Sequence, residues 1–200
     1  DTAPRFYVAE IRGRRHALLC EGGLLLTGDE GRLQRTVEES GLWAYPALPR
    51  GVEASGAPCP AEARGVWTHY ALPKPAPSAA VSYEEVGPGR ITVQVPDEDF
   101  EGLHELLLQV RYVGDIGSAY IAGRRISDNF CNGAPWEFGL MEHRQALRQG
   151  GLYLHIAPQK IGSRVLSQTT MAGRSLTSER EVAQLQGLDV LPVVEIDLHF

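Results

Sequence analysis

The chain has 200 residues and a formal net charge of −6 at pH 7, with 43% hydrophobic and 22% charged residues. This composition is ordinary for a globular protein, and the length suits about one to one and a half domains with a buried core. The negative charge argues against a nucleic-acid partner, which requires a basic surface to neutralise phosphates. Because no run of eighteen apolar residues is present, no membrane span or membrane partner is predicted.

The cysteine content indicates a reducing compartment. Cys20, Cys59 and Cys131 are odd in number and lack a CxxC spacing, which argues against a disulfide framework and a zinc site. We therefore expect three reduced thiols, with a single Cys20–Cys59 or Cys59–Cys131 disulfide as the alternative. The first residues, DTAPRFYVAE, do not form a secretion signal, so a cytoplasmic location is favoured. A mature secreted chain would look the same, so the compartment stays open.

Short apolar stretches alternate with Gly and Pro turns along the chain, a pattern typical of an antiparallel β-sandwich. Predicted strands cover residues 6–11, 16–20, 23–26, 31–37, 67–72, 90–95, 105–113, 118–121, 152–156 and 190–198. One or two short helices are also predicted. Residues 141–149 end at a Gly-Gly stop signal, and residues 177–186 begin with a capping box formed by Ser178 and Glu181.

The domain organisation follows from the distribution of prolines. Residues 42–88 hold most of them and are predicted to form long loops around the strand at 67–72. We expect an N-terminal β-strand unit at residues 1–50, either separate or part of the same sandwich. A jelly-roll β-sandwich with Pro-rich loops is expected at residues 51–200. Alternatively, the border lies within residues 42–88.

Residues 113–140, VGDIGSAYIAGRRISDNFCNGAPWEFGL, are unusually rich in polar side chains. A two-residue turn at Gly123-Arg124 is expected to place Ile126 against Ile121. Residues 128–130 are expected to leave the sheet before a turn at Asn132-Gly133, whose residues tolerate positive φ. The candidate ligand-binding residues of this run are Tyr120, Arg124, Asp128, Asn129, Asn132, Trp136 and Glu137.

The end of this run resembles the β-sandwich region that follows the catalytic barrel in bacterial β-galactosidases of glycoside hydrolase family 35. The pattern there is Asp-Asn-Phe-Tyr-Asn-Gly-x-Pro-Trp-Glu-x-Gly-Leu, which residues 128–140 match with Cys131 in place of the aromatic. Ala122 likewise replaces the usual Asn of the preceding turn. The likeness is close in this run and diffuse elsewhere. It implies a jelly-roll, galactose-binding-like sandwich.

The resemblance implies a non-catalytic accessory domain of a β-galactosidase-like glycoside hydrolase. Such a domain binds a carbohydrate, here a galactoside, weakly or supports a catalytic TIM barrel. The barrel that carries the family's catalytic glutamates needs roughly 250 residues, more than this whole chain. A purely structural interdomain interaction module is the alternative. A third hypothesis is a glycosidase whose carboxylate pair is Asp128 with Glu137, or Glu84 with Glu85.

Each candidate residue also fits a structural role. Trp136 is either a platform for a sugar ring or a core anchor with a hydrogen-bonded indole. Residues 128–129 either bind sugar hydroxyls or cap a loop through the backbone. Glu137 is either a ligand acceptor or the ion-pair partner of Arg124 or Arg125. Arg124, like Arg111, either donates to hydroxyls or stays solvated.

Other parts of the chain offer weaker candidates. The aromatic clusters at residues 43–45 and 67–70 are expected to pack between the sheets, with ligand contact as the alternative. The six histidines show no metal-binding spacing, so no metal or other cofactor is predicted. Asp97, Glu98 and Asp99 form the best acidic cluster for a structural calcium ion, with a solvated turn as the alternative.

Overall fold

The computed structural model of the protein describes residues 4–36, 41–73, 79–160 and 181–200. Strands dominate it, and the chain divides into two compact units. Unit 1 consists of Asp1–Pro77, Gly102–His104 and Pro192–Phe200, and unit 2 consists of Ser78–Glu101 and Glu105–Leu191. The last strand of the chain therefore contributes its first half to unit 2 and its second half to unit 1.

The strands are named in chain order. Those of unit 1 are β1 (Arg5–Ile11), β2 (Arg14–Cys20), β3 (Gly23–Thr27), β4 (Glu30–Thr36), β5 (Leu42–Tyr45), β6 (Glu53–Ala54), β7 (Ala57–Pro58), β8 (Ala61–Arg64) and β9 (Trp67–Tyr70). Those of unit 2 are β10 (Ser82–Gly87), β11 (Arg90–Gln94), β12 (Glu105–Val113), β13 (Ile116–Ile121), β14 (Arg124–Phe130), β15 (Trp136–Gly139) and β16 (Leu152–Ile156). Strand β17 (Gln184–His199) belongs to both units.

Unit 1 is built from two antiparallel layers around one core. One sheet has the order β1-β2-β5-β9-β8, and the other contains β3, β4 and the end of β17, with β6 paired to β17. Strands β2, β4 and β5 alternate buried side chains with more exposed ones because successive residues of a strand point to opposite faces. The inward side chains form a hydrophobic cluster that includes Leu18, Leu33, Leu42, Tyr70 and Ile196.

Unit 2 is an eight-stranded β-sandwich. Its first sheet has the order β10-β11-β16-β13-β14, and its second has the order β15-β12-β17. Numbered from 1 to 8 in chain order, these sheets read 1-2-7-4-5 and 6-3-8. Two antiparallel sheets of this kind form a jelly roll. The predicted mostly β, antiparallel sandwich is thus confirmed.

Helical structure is confined to short segments. Two single-turn 3-10 helices cover Asp97–Phe100 and Met141–His143. Helix α1 (Arg144–Gly150) follows the second directly and ends before Gly151, whose φ of 63° suits glycine. The helix predicted at residues 141–149 is therefore confirmed. Among the described residues, no helix has the length and apolar character needed to cross a bilayer.

The second predicted helix, at residues 177–186, is wrong over its described residues. Residues 177–180 lie outside the described residues, while Val182 bridges Gln159 and β17 begins at Gln184. Leu185 is buried between exposed neighbours, which is the two-residue alternation of a strand. A short apolar pattern of this kind fits both periodicities, and pairing with β12 decides for the strand.

All of the predicted strands overlap observed strands, but the region 42–88 is more regular than expected. Besides the expected β9, it contains the strands β5, β6, β7, β8 and β10. The missed strands are very short or, in β8 and β10, exposed along nearly their whole length. Exposed edge strands carry no hydrophobic alternation, so the prolines dominated the prediction.

All three cysteines are free thiols, and burial raises the pKa of the Cys59 thiol.

The turn between β13 and β14 differs from its prediction. Ile121 pairs with Arg124, so the two turn residues are Ala122 and Gly123, with φ of 48° and 79°. Both residues of a type I′ hairpin turn have positive φ. The sequence prediction was displaced by one residue because alanine rarely adopts this conformation. Residues 128–130 do not leave the sheet, since β14 extends through Phe130.

Replacing Ala122 with asparagine should stabilise the protein by about 1 kcal/mol, since positive φ costs an ordinary L-residue roughly 1–2 kcal/mol and asparagine less. Urea unfolding followed by circular dichroism measures the gain. Ala134→Asn, at an exposed loop position, is the matched control and should leave the midpoint unchanged. An unchanged or lower midpoint for Ala122→Asn would contradict the assigned turn.

Candidate functional site

On the outer face of the sheet β10-β11-β16-β13-β14, the predicted site residue Tyr120 lies next to a second tyrosine, Tyr153. Tyr120 of β13 lies opposite Tyr153 of β16 and, on its other side, opposite Arg125 of β14. Tyr153 in turn lies opposite Thr92 of β11. The neighbours of the tyrosines in sequence, Ile121 and Leu154 among them, are buried in the core. The alternation therefore places both phenol rings on the solvent side.

The two tyrosines line a shallow cleft that we call the tyrosine cleft. Their ring centroids are 6.2 Å apart and the ring planes are tilted by 47°. The cleft is completed by the β13–β14 turn and by Gly150 and Gly151 at the end of α1. Its volume is about 440 Å³, within the range of small-molecule sites of roughly 300–1,000 Å³.

The chemistry of the tyrosine cleft suits a small polyhydroxylated ligand. The half-buried rings of Tyr120 and Tyr153 offer apolar surface with a polar hydroxyl at the end of each ring. The glycine walls leave backbone close to the cleft, and the Gln94 side chain approaches Gly151. Arg125 is held beside Tyr120 by an ion pair with Asp128 at 3.0 Å. Aromatic faces and fixed hydrogen-bonding groups are thus placed together.

Trp136 lies inside the sandwich, as the core alternative described. Its side chain is 4% exposed, and its ring packs against Tyr112 at 6.1 Å and Phe138 at 4.8 Å between centroids. The indole Nε1 donates to Ser127 Oγ at 3.1 Å. Gly117 lies under the ring, because a Cβ there would be 2.8 Å from a ring carbon. The ring therefore presents almost no surface to a ligand.

The two asparagines of the run serve the local structure. Asn129 donates through Nδ2 to the Tyr112 hydroxyl at 3.2 Å, and that hydroxyl donates to the Asn129 carbonyl at 2.8 Å. Tyr112 is buried, and burial raises the pKa of its hydroxyl. Asn132 accepts the Ala134 N–H at 3.0 Å, which forms an Asx turn. Both side chains thus have structural partners.

The charged candidates lie apart from one another. Asp128 pairs with Arg125, while Glu137 is exposed on β15 of the other sheet, opposite Gln109. Of the two arginines suggested as ion-pair partners of Glu137, Arg125 pairs instead with Asp128 within β14. Arg124 is exposed at the start of β14. Among the candidates, Tyr120 lines the tyrosine cleft, and Arg124 directly follows the β13–β14 turn.

Neither proposed carboxylate pair has a favourable arrangement. Glu84 and Glu85 are consecutive in β10, so their side chains point to opposite faces of the sheet. Asp128 and Glu137 belong to strands of different sheets, and Asp128 is engaged by Arg125. A retaining site would need two carboxyl groups roughly 5–5.5 Å apart with a substrate between them.

Two carboxylates of the acidic cluster at residues 97–99 have partners within the protein. The Asp97 carboxylate accepts hydrogen bonds from Arg144 at 2.8 Å and from Arg148, and these bonds hold its pKa well below the usual range. Asp99 accepts the backbone N–H of Ala80 at 2.8 Å. Two guanidinium groups already neutralise the carboxylate that a cation would need. Among the described residues, no group of three or more His, Cys, Asp and Glu is arranged to hold a metal.

Sequence reasoning missed several side chains that the sheet brings together. Tyr153 has an outward position because Leu152, Leu154 and Ile156 are buried on the opposite face of β16. That alternation was visible in the sequence, but its pairing with Tyr120 was not. Arg111, expected to be solvated or to donate to hydroxyls, pairs instead with Asp189.

The likeness to family 35 is close in the polar run that ends at Leu140 and diffuse in the rest of the chain, and membership of that family stays a prediction from the sequence. No protein-family model, no curated protein and no solved structure matches the chain.

Proposed function

We propose that this chain is a non-catalytic accessory module of a β-galactosidase-like glycoside hydrolase and that it binds carbohydrate weakly through the tyrosine cleft. The observation that carries the proposal is the pair of outward tyrosines, Tyr120 and Tyr153, beside glycine backbone on the open face of a jelly-roll sheet. A pyranose has an apolar C–H face and a ring of hydroxyls, and the cleft offers a partner for each. The motif at residues 128–140 supports a galactoside as the ligand.

Weak binding follows from the shape of the cleft. It is shallow, so a sugar ring would bury only part of its surface, and each lost water must be replaced by a hydrogen bond to the protein. We therefore expect millimolar affinity for small galactosides. Such an affinity is useful when a module and a catalytic barrel belong to one protein, because tethering raises the effective concentration of the substrate.

Isothermal titration with galactose, lactose and galactan fragments tests the proposal. Tyr153→Ala should weaken binding at least tenfold, the loss of about 1.4 kcal/mol of contact. The matched control is Tyr83→Ala, since Tyr83 is 48% exposed on the edge strand of the same sheet and lies outside the cleft. Flat traces at millimolar sugar with a folded protein would contradict carbohydrate binding in this cleft.

A structural interdomain module is the second candidate. The observation that favours it is that Trp136, Asn129 and Asn132 all make internal contacts, so the run 113–140 builds the sandwich. Folded protein that binds no sugar but binds a separately produced family-35 barrel would support this function. Release of nitrophenol from a nitrophenyl galactoside by the purified chain would instead support the enzyme hypothesis.

A further inference from the structure

The sheet β1-β2-β5-β9-β8 of unit 1 carries aromatic side chains on the face away from its core. The pairing of these strands places two rows of side chains across the sheet, because residues directly opposite one another lie on the same face. One row contains Leu19, Trp43 and His69, and the next contains Tyr45, Trp67 and Arg64. Their sequence neighbours Leu18, Leu42, Ala44 and Tyr70 are buried in the core.

This finding corrects the expectation that both aromatic clusters pack between sheets, which holds among their aromatic side chains for Tyr70 alone. Trp43, Tyr45, Trp67 and His69, which we call the aromatic strip, are on the outer face. Tyr45 is 50% exposed, and the other three are half-buried. Aromatic side chains gathered on one outer face are typical of an interaction surface.

The rings of the strip are held in place by one another and by a charged pair. Trp43 lies against His69, with 4.5 Å between centroids, and Tyr45 meets Trp67 edge-on at 6.1 Å. The Arg64 guanidinium stands 5.7 Å from the centre of the Trp43 ring. Glu62 accepts two hydrogen bonds from Arg64, at 3.0 and 2.8 Å. The strip is therefore pre-organised before any ligand arrives.

We propose that the aromatic strip is a second carbohydrate site, which binds an extended polysaccharide chain lying across the strands. Stacked rings present flat apolar surface to the C–H faces of sugars, while Glu62, Arg64 and His69 stand beside them as acceptor and donors for hydroxyl pairs. The centre of a protein–protein interface is normally depleted of charged groups. Here a charged pair touches the strip directly, which favours a hydroxyl-rich ligand.

The geometry favours a chain over a single sugar. The first row continues from Leu19 to Phe6 of β1 and from His69 to Glu62 of β8, so it crosses all five strands. Its four spacings extend over about 19 Å, enough for several pyranose rings in line. A hollow of about 290 Å³ is lined by Trp43, Trp67 and Leu19, together with Pro4, Cys20 and Glu21. The tyrosine cleft of unit 2, by contrast, is bounded on one side by the β13–β14 turn. The proposal rests on the proposed function for the class of ligand only, since the two sites share no residue.

Affinity electrophoresis of the full chain in native gels tests the strip. The gels contain soluble linear galactan, xyloglucan or mixed-linkage β-glucan as probe. We expect retardation by at least one polysaccharide, and a tenfold or greater loss of affinity in Tyr45→Ala and Trp67→Ala. Tyr83→Ala, with an exposed tyrosine outside the strip, should behave as wild type. Tyr153→Ala should lose small-sugar binding alone, which separates the two proposals.

Circular dichroism establishes that each variant is folded. If Trp67→Ala does not fold, Tyr45→Ala and Arg64→Gln carry the test, because both side chains are half or more exposed. Folded strip variants that keep full retardation would overturn the proposal, as would the absence of retardation by every polysaccharide. A dimer in sedimentation velocity that dissociates in Tyr45→Ala would also overturn it, because the strip would then bind a second copy of the chain.

Discussion

Replacing Trp136 with alanine is expected to destabilise the protein by about 3–5 kcal/mol, the usual cost of truncating a buried tryptophan. The indole fills the space between β15 and β13, where Gly117 leaves room for it, and it contacts Tyr112 and Phe138. Removing it leaves a cavity and an unpaired Ser127 hydroxyl. Urea unfolding monitored by circular dichroism measures the loss.

Two further variants separate the contributions of the indole. Trp136→Phe keeps much of the apolar volume but loses the hydrogen bond, and Ser127→Ala removes only the bond, worth about 0.5–1.5 kcal/mol. We expect the phenylalanine variant to lie between wild type and alanine. If Trp136→Ala keeps its full stability but loses sugar binding, the core assignment is wrong and the side chain is a platform.

Replacing Gly89 with alanine should cost about 3 kcal/mol or more, the sum of a positive-φ term and an overpacking term. Gly89 has φ of 64°, and a Cβ there would overlap the Ile156 carbonyl oxygen and lie 3.0 Å from Ala183 Cβ. The backbone is held there because the Ile156 N–H donates to the Gly89 carbonyl at 2.7 Å. The hairpin of β10 and β11 therefore has little freedom to move away.

The matched control is Gly123→Ala, in the same unit. Gly123 has φ of 79°, but its Cβ position has no atom within 4 Å, so only the backbone term of about 1–2 kcal/mol applies. The difference between the two free energies of unfolding isolates the steric contribution at Gly89. Equal losses in the two variants would mean that the turn after β10 yields easily and that the close approach is not required.

These expectations change the meaning of the polar run at residues 113–140. Several of its groups have one partner each within the sandwich: Asn129 with Tyr112, Trp136 with Ser127, and Asp128 with Arg125. A jelly roll must satisfy the polar groups of its hairpins as well as fill its core, because a buried group without a partner costs about 1–3 kcal/mol. The run is therefore chiefly architectural, and its part in the proposed site consists of Tyr120 and the turn residues Ala122 and Gly123.

The sequence by itself determined the elements whose signal is local. Short apolar stretches between turn residues identified β12, β13 and β16 as strands, and the Gly-Gly stop ended α1. Two-residue and helical periodicities can be recognised from a few neighbouring residues. The sandwich class follows from such elements, because sheets with one apolar face must cover it.

Only the tertiary structure decided which faces meet and which remain open. Trp43 and Trp136 each lie in a four-residue strand with a second aromatic residue two positions later. Yet Trp43 lies on an outer face, whereas Trp136 is 4% exposed inside the sandwich. Tyr120 and Tyr153 are far apart in the chain and meet through the pairing of β13 with β16. Register and sheet order depend on contacts between distant segments, which no local pattern encodes. Both proposed carbohydrate sites arise from that long-range pairing.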